Sequence, residues 1–453
     1  MRNKLAFLYI FVFLFVSFQI PTLSFASEVP DLTSGAYILM DMKTGQVLTE
    51  KNSDHQWSPA STTKIMTALI ALENSSLDKE MTATQTAINS VDIYNYVTAG
   101  IKPGEKIKLK SLLDMMLVTS ANEAGYVIAE NVSPDGTVAG FVKMMDDKAK
   151  ELGLKGTHFS NPCGIEDQDH YSTAGDLAIL GREAMKNEAF RAIVGETEIA
   201  MPDTNLRKGS DWNTSYLSFT NKLLTSHSKY YSKVTGVKTG FTDLAGRCLV
   251  SSAVNPDGME LLAVVLGADS YDTLFSESQS LLEYGFANFG IQDVVKTGKY
   301  IDRSEVVDAV DGNKVELVTD GDIRHILPLD SEALSRDLTL KKTLSEPFKA
   351  PIVKGQVMGS MEYFYKNESI GLVNIIANNA VEKTTFAQIR DKYMEVVNDK
   401  RFTLGLKILG CLIIFLIVLR LILRAISRRS KRNRRYNYSS PARKKNYRFK
   451  NYR

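Results

Sequence analysis

Ser61-Thr62-Thr63-Lys64 sets a hydroxyl and an amine three residues apart. On a helix, residues i and i+3 share a face, so the two groups can meet. A serine hydroxyl is a weak nucleophile and needs a base. A lysine amine serves when burial and neighbouring charges lower its pKa. A helix starting near Ser61 also offers backbone N–H groups and a positive dipole end to an oxyanion at the attacked carbonyl. The chemistry these residues can do is acyl transfer through a serine ester.

Two further clusters suit the same chemistry. Ser120-Ala121-Asn122 supplies a hydroxyl and a carboxamide two residues apart. Lys238-Thr239-Gly240 supplies a cation and a hydroxyl donor, both suited to a substrate carboxylate. Its glycine lets a substrate backbone approach a strand edge closely. Alone, each cluster is weak. Ser-x-x-Lys recurs at Ser76/Lys79 and Ser226/Lys229, and Lys-Thr-Gly recurs at 43–45 and 296–298. Order and context separate the copies. Only Ser61 opens a long run that reads as helix, and only Lys238 leads into a strong strand pair.

The elements that must position these groups follow from pattern. Ala36–Asp41 and Gln46–Glu50 read as strands of a hairpin turning at Lys43-Thr44-Gly45. Pro59 precedes an Ala-, Leu- and Met-rich run, which starts a helix near Ser61. Residues 75–200 are mostly helical in pattern. Lys233–Gly240, Arg247–Val254 and Met259–Leu266 read as strands, with Asn255-Pro256-Asp257-Gly258 turning the last two. A helix from about Thr273 to Phe289 follows. From about Ile291 to Lys392 the pattern changes to short alternating segments. The expected fold is an α+β catalytic domain, an antiparallel sheet flanked by helices (27–290), then a small β-rich domain (291–395).

Charge and cysteines exclude other classes. Net charge is +3, but residues 424–453 hold 13 Lys and Arg and no acid. Without that tail and the four basic residues of the two apolar ends, the body has 38 basic against 52 acidic residues. That balance gives no reason to expect nucleic-acid binding. The cysteines, Cys163, Cys248 and Cys411, form no disulfide framework, and no CxxC pair suggests a metal. Cys163 and Cys248 read as small buried apolar residues. The five histidines show no metal-ligand spacing, and His170 reads as a structural hydrogen-bonding group. No Gly-x-Ser-x-Gly element supports an α/β-hydrolase triad. No cofactor is expected.

Both ends are apolar. Residues 1–26 have the layout of an export signal: Arg2 and Lys4, an apolar run to Ile20, then Ser24-Phe25-Ala26. Residues 402–423 would reach roughly 33 Å as a helix, enough to cross a bilayer. The basic tail 424–453 predicts a cytoplasmic C-terminus and an outward-facing body.

The three clusters together resemble the serine D-Ala-D-Ala carboxypeptidases, low-molecular-weight penicillin-binding proteins with a β-lactamase/transpeptidase-like fold. The matching stretches are Pro59–Thr67, Ser120–Asn122, Phe159–Pro162 with His170–Ala174, and Gly236–Gly240. The resemblance implies Ser61 as the acylated nucleophile, Lys64 as its base and Ser120 as a proton relay to the leaving D-alanine. It implies that Asn122 holds the substrate backbone or positions Lys64, and that Lys238 and Thr239 bind the terminal carboxylate. Gly240 belongs to that substrate edge, and the N–H groups of Ser61 and Phe241 would form the oxyanion hole. Peptidoglycan stem peptides are the implied substrate and β-lactams the implied inhibitors. One departure stands out: many members carry an arginine soon after the strand ending at Leu266-Gly267, where this chain has Ala268-Asp269-Ser270-Tyr271-Asp272.

A class A β-lactamase is the first rival, but its Glu-x-x-Leu-Asn element is missing, since Leu-Asn occurs nowhere. A D,D-endopeptidase cutting crosslinks and a non-catalytic β-lactam sensor are two more rivals. The endopeptidase would act on a different substrate, and the sensor would acylate and stay acylated.

Overall fold

The computed structural model describes residues 29–214, 217–225 and 233–436, the side chains of 429–436 excepted. The export signal read at 1–26 and residues 437–453 of the tail lie outside these residues. The chain forms two compact units. One holds the residues through Val295 with Asp322–Leu340 and Glu362–Leu372; the other holds Lys296–Gly321, Lys341–Met361 and Val373 onward.

In the first unit, β1 (Ala36–Asp41) and β2 (Val47–Lys51) form the expected antiparallel hairpin. Its turn is fixed by Asp41, whose carboxylate accepts the Thr44 N–H and hydroxyl. A 3₁₀ turn, Ala60–Thr63, leads into α1 (Lys64–Asn74), a run free of Gly and Pro and buried from Lys64 to Ala71. A short pair, β3 (Glu80–Thr82) and β4 (Lys106–Lys108), interrupts the helical stretch. Next come α2 (Leu109–Leu117), α3 (Asn122–Val132), α4 (Val138–Leu152) and α5 (Ala174–Ala184). Threonine side chains cap the last two, Thr137 accepting from Gly140 N and Thr173 from Asp176 N.

The chain then returns to the sheet with β5 (Val234–Thr242), β6 (Gly246–Val254) and β7 (Glu260–Ala268). The strand order is β2-β1-β7-β6-β5, antiparallel throughout. Every second residue turns to the same side. Ile38, Met40, Cys248, Val250, Leu262 and Val264 join the core with the helices α1–α5. Leu39, Leu249, Leu261, Ala263 and Val265 join the other core, with Leu274, Leu281 and Leu282 of α6 (Tyr271–Asn288). Each fully buried Leu or Val contributes about 1.5–3 kcal/mol, so alternation along the strands sets their register. β5 is an edge strand, and it carries Lys238, Thr239 and Gly240.

β8 (Phe289–Val295) pairs with β11 (Ile323–Pro328), also in the first unit. β9 (Tyr300–Glu305), β10 (Lys314–Asp320), β12 (Leu338–Leu344), β13 (Val357–Tyr365) and β14 (Glu368–Ala377) form a five-stranded sheet in the order β12-β13-β14-β10-β9. The alternation read in sequence stops earlier than Lys392, because α7 spans Thr385–Asn398. Its apolar residues Phe386, Ile389 and Tyr393 recur at helical spacing, and Thr384 caps it by accepting from Ala387 N. α8 (Lys400–Tyr436) follows. Its residues 400–428 make up the one helix among the described residues long and apolar enough to cross a membrane.

Candidate active site

Ser61 sits on a bend. Ala60 has φ +46°, a left-handed conformation costly for alanine, and Ser61 follows it inside the 3₁₀ turn. The Pro59 carbonyl accepts from the Thr62 hydroxyl and N–H, which ties the turn. Lys64 begins α1, so its amine returns to the hydroxyl one turn before it. Nζ lies 2.7 Å from Ser61 Oγ.

Lys64 is fully buried, and its nitrogen has two more partners: Asn122 Oδ1 at 2.8 Å and the Cys163 carbonyl at 2.9 Å. Burial lowers its pKa from 10.5 to about 8, against the opposing pull of Cys163 and Glu123. An amine so placed is within reach of its neutral, basic form near neutral pH.

Asn122 is the first residue of α3 and is held from both sides. Its N–H and its Nδ2 both donate to the Val97 carbonyl, at 2.9 and 3.0 Å. These bonds fix the amide so that Oδ1 faces Lys64. The neighbouring Glu123 clasps the same loop: one carboxylate oxygen accepts from Ala99, Gly100 and Ile101 N–H groups. Ser120 stands at φ +67° between α2 and α3 and is nearly buried. Its hydroxyl makes no hydrogen bond among the described residues, so it joins neither Lys64 nor Lys238 in this state.

Lys238 is buried too, and Nζ donates to the Thr239 carbonyl at 2.9 Å. Burial, reinforced by the charge of Lys64, pushes its pKa well below 10.5. Thr239 donates to the Thr220 hydroxyl at 2.6 Å. Gly240 is where β5 meets Ser61. A Cβ there would lie 3.0 Å from Ser61 N and 3.0 Å from the Pro59 carbonyl, so a side chain would push Ser61 away. Phe241 is 41% exposed beside it. Of the sequence-predicted residues, Lys64 and Gly240 thus meet Ser61 directly, Asn122 joins it through Lys64, and Lys238 lies near enough to Lys64 for the two charges to interact.

Several partners escape sequence reading. The Cys163 carbonyl is one; a main-chain acceptor leaves no mark in a side-chain pattern. Asn161 holds that loop by accepting N–H bonds from Cys163, Gly164 and Ile165. Gly164 has φ +79°, and a Cβ there would fall 1.7 Å from the Ala60 carbonyl oxygen, so only glycine fits. The signal that could have found them is the Asn161-Pro162-Cys163-Gly164 turn. Cys163 and Cys248 are buried, as expected. His170 is structural: Ser160 N donates to its Nδ1, and Nε2 donates to the Thr63 hydroxyl at 2.8 Å. Burial lowers its pKa to about 4, so it stays neutral. No group of three metal-ligating side chains occurs among the described residues. At the end of β7, where the sequence departs from the family pattern in having no arginine, the Asp269 carbonyl accepts from Arg247 Nη1 at 2.6 Å.

The D-alanyl-D-alanine carboxypeptidase family matches residues 24–270, and the C-terminal domain of penicillin-binding protein 5 matches residues 289–383. D-alanyl-D-alanine carboxypeptidase DacF of Bacillus subtilis is 32% identical over 352 residues, 77% of this chain and 86% of that protein. DacA of Haemophilus influenzae is 30% identical over 399 residues, covering 86% and 96%. Among solved structures, penicillin-binding protein 5 from Haemophilus influenzae superimposes with a TM-score of 0.58 at 29% identity, over 79% of this chain and all of that one. DacD from Francisella tularensis gives 0.60 at 27% identity, over 80% and 96%.

Proposed function

We propose, for a chain that belongs to the D-alanyl-D-alanine carboxypeptidase family, that Ser61 carries the acyl group in removing the terminal D-alanine from peptidoglycan stem peptides. The observation that carries this is the single nitrogen of Lys64, 2.7 Å from Ser61 Oγ, with its pKa lowered to about 8.

Neutral Lys64 takes the Ser61 proton as Oγ attacks the carbonyl carbon of the D-Ala-D-Ala bond, forming the C–O bond. The oxyanion is received by the N–H groups of Ser61 and Phe241. The C–N bond then breaks. The proton held on Lys64 passes through the Ser120 hydroxyl to the leaving amine, and D-alanine departs. Water, activated by Lys64, attacks the ester, and Ser61 recovers its proton. Lys238 and Thr239 hold the terminal carboxylate, and the open edge of β5 takes the substrate backbone as an added strand. A β-lactam, an amide of similar shape, would acylate Ser61 and block the site.

The segments have matching roles. Residues 27–290 form the catalytic domain, and the β-rich domain (291–395) holds it off the membrane. The span (402–423) anchors the chain, with the body outside and the tail (424–453) in the cytoplasm. Support for the span is the helix at 400–428; support for the orientation is the basic tail. Protease added outside intact cells must therefore spare a tag on the C-terminus.

The test of function is D-alanine release. The wild type, incubated with a peptide ending in D-Ala-D-Ala, releases D-alanine, and Ser61→Ala does not. A wild type that spares this peptide but cuts a crosslinked dimer is an endopeptidase. One that acylates with a β-lactam and turns over neither is a sensor.

A further inference from the structure

A cluster of cations stands at the end of the first sheet away from Ser61. A cavity of about 240 Å³ opens there within the first unit, between the turn after β1, the end of α5, the β6–β7 turn and β11. Strand register sets its distance from the catalytic groups. Gly240, beside Ser61, pairs with Cys248, whereas Glu260, which lines the cavity, pairs with Val254. Those six residues along β6 span about 20 Å. A ligand in the cavity therefore touches neither Ser61 nor Lys64.

The cavity has more positive charge than its own acids can balance. Lys43, Arg182, Lys186, Arg191 and Arg324 line it, against two carboxylates, Asp41 and Glu260. Both carboxylates are engaged. Asp41 accepts from the Thr44 N–H and hydroxyl, and Glu260 accepts from Arg191 through two bonds of 2.5 and 3.1 Å. Lys186 pairs with Glu183, and Arg324 with Asp293. Lys43 and Arg182 have no carboxylate partner among the described residues. Arg182 donates Nε to the Met42 carbonyl at 2.8 Å and Nη2 to the Lys43 carbonyl at 2.9 Å, and its Nη1 makes no hydrogen bond among them. Acids outnumber bases in the body of the chain, so this surplus runs against its surroundings. Like charges around one cavity repel, and an anion between them relieves the repulsion.

The arrangement suits one kind of anion best. Lys43 comes from the hairpin turn, Arg182 from the end of α5 and Arg324 from β11, so an anion is met from several sides. A carboxylate is planar and has two oxygens. A phosphate ester directs its oxygens divergently, and guanidinium forks match them in pairs. Thr44 and His325 also line a second cavity of about 290 Å³, again within the first unit. Lys366, Glu368 and Ser369 give that cavity a polar wall. Such a wall suits a chain bearing hydroxyl groups rather than an apolar one.

We propose that the two cavities form a binding site, separate from Ser61, for a phosphate ester of a polyol or sugar. The phosphate lies among Lys43, Arg182 and Arg324, and the hydroxylated chain lies in the neighbouring cavity. The proposal goes beyond the carboxypeptidase reading and does not depend on it, since no residue of either cavity acts in acyl transfer. A small soluble ester and a repeating polyol-phosphate polymer offer the same chemistry, and the test tells them apart.

The test melts the full-length protein in detergent with sodium chloride, sodium sulfate, glycerol 1-phosphate or a short poly(glycerol phosphate), all at one ionic strength. Glycerol 1-phosphate at about 10 mM should raise the melting temperature by about 2–3 °C, as a Kd on the order of 1 mM requires. Chloride should leave it unchanged, and sulfate, which has no ester chain, should raise it less. A larger rise per phosphate with the polymer makes the polymer the ligand, and an equal rise makes it the small ester. The combined variant Lys43→Gln, Lys186→Gln, Arg324→Gln should lose the rise, and Lys43→Gln alone should lessen it. Removing three charges elsewhere, by Lys143→Gln, Lys150→Gln and Lys155→Gln, should keep it. Labelling by a fluorescent β-lactam at the wild-type rate shows that each variant is folded. The proposal is overturned by no rise with either ester, by a rise that survives the combined cavity variant, or by one that chloride or sulfate reproduces in full. It is also overturned if the ester slows β-lactam labelling of the wild type, because the anion then sits at Ser61.

Discussion

Nζ of Lys64 lies 2.7 Å from Oγ of Ser61, while Asn122 Oδ1 and the Cys163 carbonyl hold the same nitrogen from other sides. The amine is thus fixed in place by neutral acceptors rather than by a salt bridge. A carboxylate partner would raise its pKa and stop it working as a base. Two carbonyl oxygens orient it without that penalty.

The rate of acylation must follow the neutral form of this lysine. With a pKa of about 8, the rate of labelling by a fluorescent β-lactam should rise about tenfold per pH unit below 8 and level off above. Lys64→Arg keeps a cation but cannot deprotonate, so acylation should fall by about 10³ or more. A flat pH profile, or an active arginine variant, would remove Lys64 from the role of base.

Asn122 offers a sharper test of the same electrostatics. Asn122→Asp puts a negative charge where a neutral oxygen now sits 2.8 Å from Nζ. An opposite charge so close favours the protonated amine by about 1–3 pKa units. The rising limb of the acylation profile should move to higher pH by that amount, with a slower rate at pH 7. The same profile at an unchanged position would mean that Asn122 does not sense the lysine.

Gly164 should tolerate no side chain. Its φ is +79°, and a Cβ would fall 1.7 Å from the Ala60 oxygen, on the bend that presents Ser61. Gly164→Ala should lower the melting temperature and abolish β-lactam labelling, because neither loop can shift without moving Ser61. Gly136→Ala is the control. It also has positive φ, +71°, but a Cβ there meets nothing within 4 Å. It should cost little stability, about 1 kcal/mol, and leave labelling intact.

Much of this was legible in the sequence because it depends on side chains at fixed spacing. Ser61 and Lys64 meet through helical geometry, and the five sheet strands alternate between two cores. The helix Tyr271–Asn288 starts two residues before the expected Thr273, since Ser270 caps it. What the sequence hid was mostly main chain. The Val97 and Cys163 carbonyls carry no signature, and the Glu123 clasp joins residues more than 20 apart. The cationic cavity was hidden for another reason: Lys43, Arg182 and Arg324 become neighbours only in the folded chain. Helix α7 is hard to read from sequence because its apolar residues, scattered among charges, also resemble broken alternation.

Ser61 as the residue that carries the acyl group is the central claim. We would incubate the full-length protein with benzylpenicillin, digest it, and locate the added mass by peptide sequencing. The predicted result is one added penicilloyl group on Ser61, lost in Ser61→Ala and much slower to appear in Lys64→Arg. An adduct on Ser120 or elsewhere, or an adduct that persists in Ser61→Ala, would contradict it.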